Sequence, residues 1–245
     1  MIAGLPMYDR PETAGAHDAY WQAIRDALRD RNIAAPDGLS RGIDPWTLWR
    51  RNDLVLAQTC GLPYRARLHG KVTLLGTPDF GVPDCPPGYY RSVIVVRAED
   101  PRIAVSDLSG AKLAYNDPLS QSGWAAVRAL GLPFSEKIRT GSHRQSARAV
   151  AAGRADLAGI DAVTWRSMGV HDPDLAGALR VLARTPPTPG LPYICAPGFD
   201  ARGIAAAIDE ALDGLNASVR DVLGLRGLVR IPPETYLEQP IPDAP

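Results

Sequence analysis

The chain has 245 residues, 45% of them hydrophobic and 22% charged, with 27 basic and 27 acidic side chains that cancel to zero. That apolar content can build a core, so a disordered chain is excluded, and the length suits one large domain or two modest ones. No apolar run reaches the roughly 18–20 residues of a membrane span, and zero net charge argues against a nucleic-acid surface, which is usually basic.

The start, Met1-Ile2-Ala3-Gly4-Leu5-Pro6-Met7, has no basic segment, no apolar segment and no cleavage site of a secretory signal. As written, the chain is expected in the cytoplasm; a start further upstream would make it periplasmic. Ile2–Met7 reads as a short strand. Residues 15–31 form a helix, with Ala16, Tyr20, Ala23, Ile24, Ala27 and Leu28 on one face. Asp53–Thr59 and Val72–Gly76 are strands, and residues 77–90 are a loop rich in Pro and Gly that ends in two tyrosines. Ser92–Ala98 carries the strongest strand signal. Ala104–Leu108 is a turn, Lys112–Asn116 a strand, residues 117–123 a polar loop and residues 123–130 a helix.

The unit then repeats in form. A helix opens at Gly141-Ser142 and runs to about Ala152. Asp156–Ile160 is a strand, Ala162–Ser167 a helix, Leu179–Arg184 a strand, Thr185–Pro192 a stiff segment with four prolines, and Tyr193–Ala196 a short strand. Residues 201–214 and 216–224 are helices, followed by an extended tail from Ile231. Strands that alternate with helices predict an α/β architecture of parallel-rich mixed sheets flanked by helices. Arg97–Pro101 and Thr185–Pro192 read as crossings between two lobes: a discontinuous first lobe, 1–97 plus 190–245, and an inserted second lobe, 98–189. A ligand is then expected between them, at the carboxyl ends of the strands.

Three segments could carry chemistry. Asn116-Asp117-Pro118-Leu119-Ser120-Gln121-Ser122-Gly123 lies between a strand and a helix. Its hydroxyls, its amide and the N–H groups at the helix start can hold an anion, or Ser120 or Ser122 can simply cap the helix. The pattern does not separate the two. Gly141-Ser142-His143 opens the next helix, where Ser142 and His143 could donate to the same anion, although a plain Ser cap is the favoured reading of that start taken alone. Asp161 ends a strand and opens a helix, as a cap or as an acceptor for a ligand hydroxyl or amine. From the first lobe, Tyr8, Gln58 and Thr59 could close over a ligand, with Tyr90 and Arg91 at the end of the Pro-rich loop.

Phosphate-binding P-loops, dinucleotide fingerprints and zinc-protease motifs are absent. Gly38-Leu39-Ser40-Arg41-Gly42 matches the pattern of a nucleophile elbow but sits in a loop that leads into Ile43-Asp44-Pro45, so it is set aside. His17, His69, His143 and His171 are scattered, so neither a metal nor a cofactor is expected. Cys60, Cys85 and Cys195 are too few for a disulfide framework. A Cys60–Cys85 bridge stays open beside free thiols, which are favoured.

Taken together, the segments resemble the phosphate/phosphonate substrate-binding proteins of ABC importers, which have the type II periplasmic-binding fold. Asn116-Asp117-Pro118 with Ser120-Gln121-Ser122-Gly123 is similar to that family's Asn-Asp-Pro-x-Ser-Thr-Ser-Gly loop. Gly141-Ser142-His143, Ala149-Val150, Gly153, Ala155-Asp156 and Ile160-Asp161 are similar to the stretch that follows it, and Tyr90-Arg91-Ser92 leading into an apolar strand also fits. Gln121 stands where the family has a compact hydroxyl.

The resemblance implies a two-lobed fold in which the Ser-rich loop, Ser142 and His143 hold phosphonate oxygens and Asp161 meets the rest of the ligand. It implies a monomeric binding protein that closes by a hinge on a small anionic ligand, with an ABC permease as partner and no catalytic residues. An enzyme of cofactor biosynthesis on the same fold, with His143 or Asp161 as acid/base, and a ligand-sensing module are the alternative readings.

Overall fold

The structure is a computed structural model that describes residues 1–245. Its strands are β1 (Ile2–Gly4), β2 (Leu54–Gln58), β3 (Thr73–Asp79), β4 (Tyr89–Tyr90), β5 (Ser92–Arg97), β6 (Lys112–Tyr115), β7 (Glu136–Arg139), β8 (Leu157–Asp161), β9 (Leu179–Arg184), β10 (Thr188–Pro189), β11 (Tyr193–Cys195) and β12 (Gly227–Val229). The chain divides into two compact units, Met1–Tyr89 with Pro189–Glu238, and Tyr90–Thr188 with Gln239–Pro245. Strand β5 therefore belongs to the second unit, ahead of the crossing expected at 97, because it pairs there with β8 and β9.

The first unit is built on a five-stranded sheet of order β1-β2-β11-β3-β12. β1 and β2 are parallel, β11 runs antiparallel to both β2 and β3, and β12 is antiparallel to β3. Hence β1, β2 and β3 point the same way and end along one edge. Helix Ala14–Asp30 buries Tyr20, Trp21, Ile24, Ala27 and Leu28, a stripe at helical spacing. It packs on helix Ala201–Gly214, which covers β3. That second helix is started by Asp200, whose carboxylate accepts from the Gly203 N–H at 3.0 Å.

The second unit's sheet has the order β7-β6-β8-β5-β9. β6 is parallel to β7 and β8, whereas β5 is antiparallel to β8 and β9. The continuous apolar run of β5 follows from burial on both faces. Val93 and Val95 join one core with Ala114, Ala158, Ile160 and the helix residues Ala147 and Val150. Ile94 and Val96 join the opposite core with Leu113, Leu157, Trp124 and Val127.

The differences from the sequence reading are local. Both sheets are mixed, as expected, because the returning strands β5, β11 and β12 run against the others. The strand expected at 72–76 continues to Asp79, inside what reads as a loop. The tail contains a helical turn, Pro233–Leu237, in which Tyr236 is buried and its hydroxyl lies 2.6 Å from Thr77 Oγ1. A further turn, Pro45–Trp49, is opened by Asp44, which accepts from the Thr47 N–H. Such short turns lack the length for a periodic signal. All three cysteines are free thiols, and burial pushes Cys195 up to about 11.

One buried titratable group makes stability depend on pH. His17 is buried in the first helix, with Nδ1 3.1 Å from the Thr13 carbonyl and 3.7 Å from Asp9 Oδ1. Arg41 ties Asp9 to Asp18 beside it. Burial holds the imidazole below its ordinary value of 6.5, outweighing the carbonyl and Asp9, which pull it up, while Arg41 pushes it further down. The unfolded chain therefore takes up this proton at a higher pH than the folded one. Stability falls as pH drops from about 6.5 towards the lower folded value. Melting temperatures measured between pH 7 and pH 5 should decline, and His17→Gln should flatten the decline. An equally steep decline in the variant contradicts this assignment.

Candidate functional site

Parallel strands end at a common edge, and in the second unit that edge collects the polar segments. The loop 116–122 follows β6, residues 140–142 follow β7, and Asp161 is the last residue of β8. β5 runs the other way, so its beginning, with Tyr90 and Arg91 just before it, lies at the same edge. The register confirms it: Ser92 is opposite Asp161 and Ile94 opposite Gly159. Nine of the predicted residues, Tyr90, Arg91, Ser120, Gln121, Ser122, Gly123, Ser142, His143 and Asp161, thus lie around one sheet edge, where α/β folds bind ligands.

Two glycines let the Ser-rich loop lie flat on the sheet. A Cβ at Gly159 would stand 2.4 Å from Val127 Cγ2 and 2.8 Å from the Ser122 carbonyl oxygen. At Gly123 it would stand 1.8 Å from Asn116 Oδ1. In both cases the requirement is space. Ser92 then fastens the loop, donating from Oγ to the Ser122 carbonyl at 3.0 Å. Below it Trp124 is buried, tilted against Tyr115 at 5.3 Å between ring centres, with its indole N–H donating to the Asp243 carbonyl at 2.9 Å.

The hydroxyls converge. Ser120 Oγ accepts from the Gly123 N–H at 3.0 Å and lies 3.5 Å from Ser122 Oγ. Ser122 Oγ is 2.8 Å from His143 Nε2. Ser120, Gln121 and Ser122 are buried, and residues 121–125 wind as a π-type turn, a form frequent at functional sites. Ser142 caps helix His143–Ala151 by accepting from the Gln145 N–H at 3.2 Å. Thr140 donates to the Tyr115 carbonyl at 3.1 Å, which pins that loop to the end of β6. Asp161 accepts from the Thr164 N–H at 2.9 Å and so caps its helix.

Capping and anion binding therefore do not compete for the same atoms. A capping Ser accepts through its oxygen and keeps its O–H proton to donate. If His143 carries its proton on Nε2, that N–H donates to Ser122 Oγ and leaves the Ser122 proton for an anion. Ser92 and Thr140, which hold these donors, escape a reading of the sequence because only the strand register brings them here.

The first unit contributes separately. Tyr8, downstream of β1, stands edge-on to Phe80, downstream of β3, with ring centres 4.8 Å apart. Thr59, just past β2, is fully buried; its N–H donates to the Pro192 carbonyl at 3.0 Å, and its hydroxyl has no hydrogen-bond partner. Gln58 braces the fold: its side-chain amide donates to the Leu191 carbonyl at 3.2 Å, and its backbone carbonyl accepts from the Trp49 indole N–H at 3.0 Å.

Crowding at the two glycines is testable. Gly123→Ala or Gly159→Ala should lower unfolding free energy in urea by about 1–3 kcal/mol, the usual cost of overpacking. Stability like that of the wild type would contradict the close approach.

No curated protein sequence matches the chain. Among solved structures it is similar to PhnD1 from Prochlorococcus marinus (MIT 9301) in complex with methylphosphonate, with a TM-score of 0.74 and 15% identity over 96% of this chain and 94% of that one. XAC2383 from Xanthomonas citri bound to ATP gives 0.69 and 17%, covering 96% and 92%. The aliphatic sulphonate binding protein SsuA from Escherichia coli gives 0.60 and 20%, covering 98% and 82%. These likenesses establish the periplasmic-binding-protein fold. The family profile described as "ABC transporter, phosphonate, periplasmic substrate-binding protein" matches residues 48–236, and no helix is long and apolar enough to cross a membrane. With its Ser-rich loop, its Ser–His contact and a family match over most of its length, the chain belongs to the phosphonate-binding family of ABC-transporter substrate-binding proteins.

Proposed function

We propose that the protein binds the phosphonate or phosphate-ester head of a small metabolite at the sheet edge of the second unit. Ser120, Ser122, the N–H groups near Gly123, Ser142 and His143 are the donors, and Gln121 adds an amide. The carrying observation is the 2.8 Å contact between Ser122 Oγ and His143 Nε2 beside the capping Ser120. Neutral donors held rigidly in a buried place suit an ionised oxyanion, since charge-assisted hydrogen bonds are the stronger kind. The methylphosphonate of PhnD1 and the sulphonates of SsuA are tetrahedral oxyanions of the same shape.

In this reading the protein is a monomer in the periplasm that delivers its ligand to a permease. Tyr90 and Arg91, at the same sheet edge, complete the shell around the head group, and Asp161 meets the rest of the ligand.

A ligand present at a hundred times its Kd adds about 2.7 kcal/mol to stability. Methylphosphonate, phosphate and methanesulfonate should therefore be compared by thermal shift and calorimetry. At least one should bind the wild type, and Ser122→Ala and His143→Ala should each weaken it by about 10- to 100-fold, the worth of one hydrogen bond to a charged group. The ligand should be recovered unchanged by mass. Absence of any binding would leave Ser120 and Ser142 as helix caps and nothing more.

A further inference from the structure

The turn that carries Ser122 is held from a second side by a segment far along the chain. Residues 239–245, Gln-Pro-Ile-Pro-Asp-Ala-Pro, belong to the second unit, although the residues up to Glu238 belong to the first. Its three prolines restrict the backbone and so reduce the entropy lost on docking. The segment runs over the surface, with Ile241 58% exposed. Its Asp243 carbonyl accepts the Trp124 indole N–H at 2.9 Å.

Trp124 is buried and stands two residues after Ser122, inside the π-type turn Gln121–Ala125. Its ring rests against Tyr115, with the Arg128 guanidinium 5.7 Å and the Lys137 ammonium 5.9 Å from the ring centre. These contacts hold the ring but offer its N–H no acceptor. A buried donor without an acceptor is costly, so the Asp243 carbonyl decides which way the indole faces. A π-type turn is a rare backbone form, and this one is pinned on two sides: Ser92 holds the Ser122 carbonyl at 3.0 Å, and Asp243 holds Trp124. Without the second pin the turn relaxes towards the commoner α form, which rotates Ser122 relative to His143.

We propose that residues 239–245 are a strap that positions the anion-binding turn through Trp124, so that docking of the strap raises affinity for the oxyanion head and its release lowers it. This inference rests on the head-group site proposed above. Trp124 is a positioning residue, acting through Ser122 and not on the ligand. The coupling is reciprocal: by whatever factor the strap strengthens binding, bound ligand strengthens docking of the strap. Exposed segments open at low cost, so the strap is a place where affinity is set from outside the site.

The experiment is calorimetry with methylphosphonate, phosphate and methanesulfonate, well below the melting temperature. It compares the full chain, a chain that ends at Glu238, and Trp124→Phe, which keeps a ring but lacks the N–H. Each anion that binds the full chain should bind both variants about 3- to 10-fold more weakly, the worth of one neutral hydrogen bond. A strap with a merely structural role would lower the melting temperature and leave affinity unchanged, and that result overturns the inference. A second readout needs no variant to fold: hydrogen exchange of the Trp124 indole N–H in the full chain, followed by NMR. The bound anion should slow this exchange by the same factor that removal of the strap costs in affinity. Exchange that the anion leaves unchanged overturns the inference, whether or not the shortened chain folds. Binding of none of the three anions by the full chain refutes the head-group site itself, a result distinct from binding that ignores the strap.

Discussion

The second unit depends on one close approach, that of the Ser-rich loop to strand β8. Period-two alternation sends Ser92, Ile94 and Val96 to one face of β5, opposite Asp161 and Gly159 on β8. At Gly159 that face has no side chain, and the loop fills the space with the Ser122 carbonyl and Val127. Ser92 closes the gap with a hydrogen bond to that same carbonyl. The loop is thereby fixed in height and rotation, and both serine hydroxyls follow from it. A single methyl group at Gly159 meets the Ser122 carbonyl itself and so pushes the loop, with its serine hydroxyls, off the sheet.

Fixed donors matter because the site relies on geometry more than on charge. A flexible serine pays rotamer entropy to meet an anion, but Ser120 is already held by the Gly123 N–H and Ser122 by His143. The same contacts let helix capping and the proposed ligand binding coexist in one motif: the oxygen serves the fold and the proton is left to donate.

Much of the fold is legible in the chain itself. The long helices at 14–30 and 201–214 carry clean apolar stripes, and β5 reads as a strand because both of its faces are buried. The motif residues around 116–123 and 141–143 announce the site by their resemblance to a family and fall on one edge by topology. The rest depends on contacts between distant segments. Nothing local marks Ser92 as the residue that secures the loop, or Gln58 as a brace for Leu191 rather than a free amide. The turns Pro45–Trp49 and Pro233–Leu237 and the short β12 are too brief to show a period.

The central claim is that the oxyanion is held by the Ser120–Ser122–His143 cluster. The most direct test is a crystal structure of the protein soaked or grown with methylphosphonate. The account predicts one phosphonate at the sheet edge, with oxygens at hydrogen-bond distance, about 2.5–3.2 Å, from Ser122 Oγ and from Ser120 or His143. A well-ordered phosphonate elsewhere, out of hydrogen-bond reach of Ser122 and His143, would contradict it.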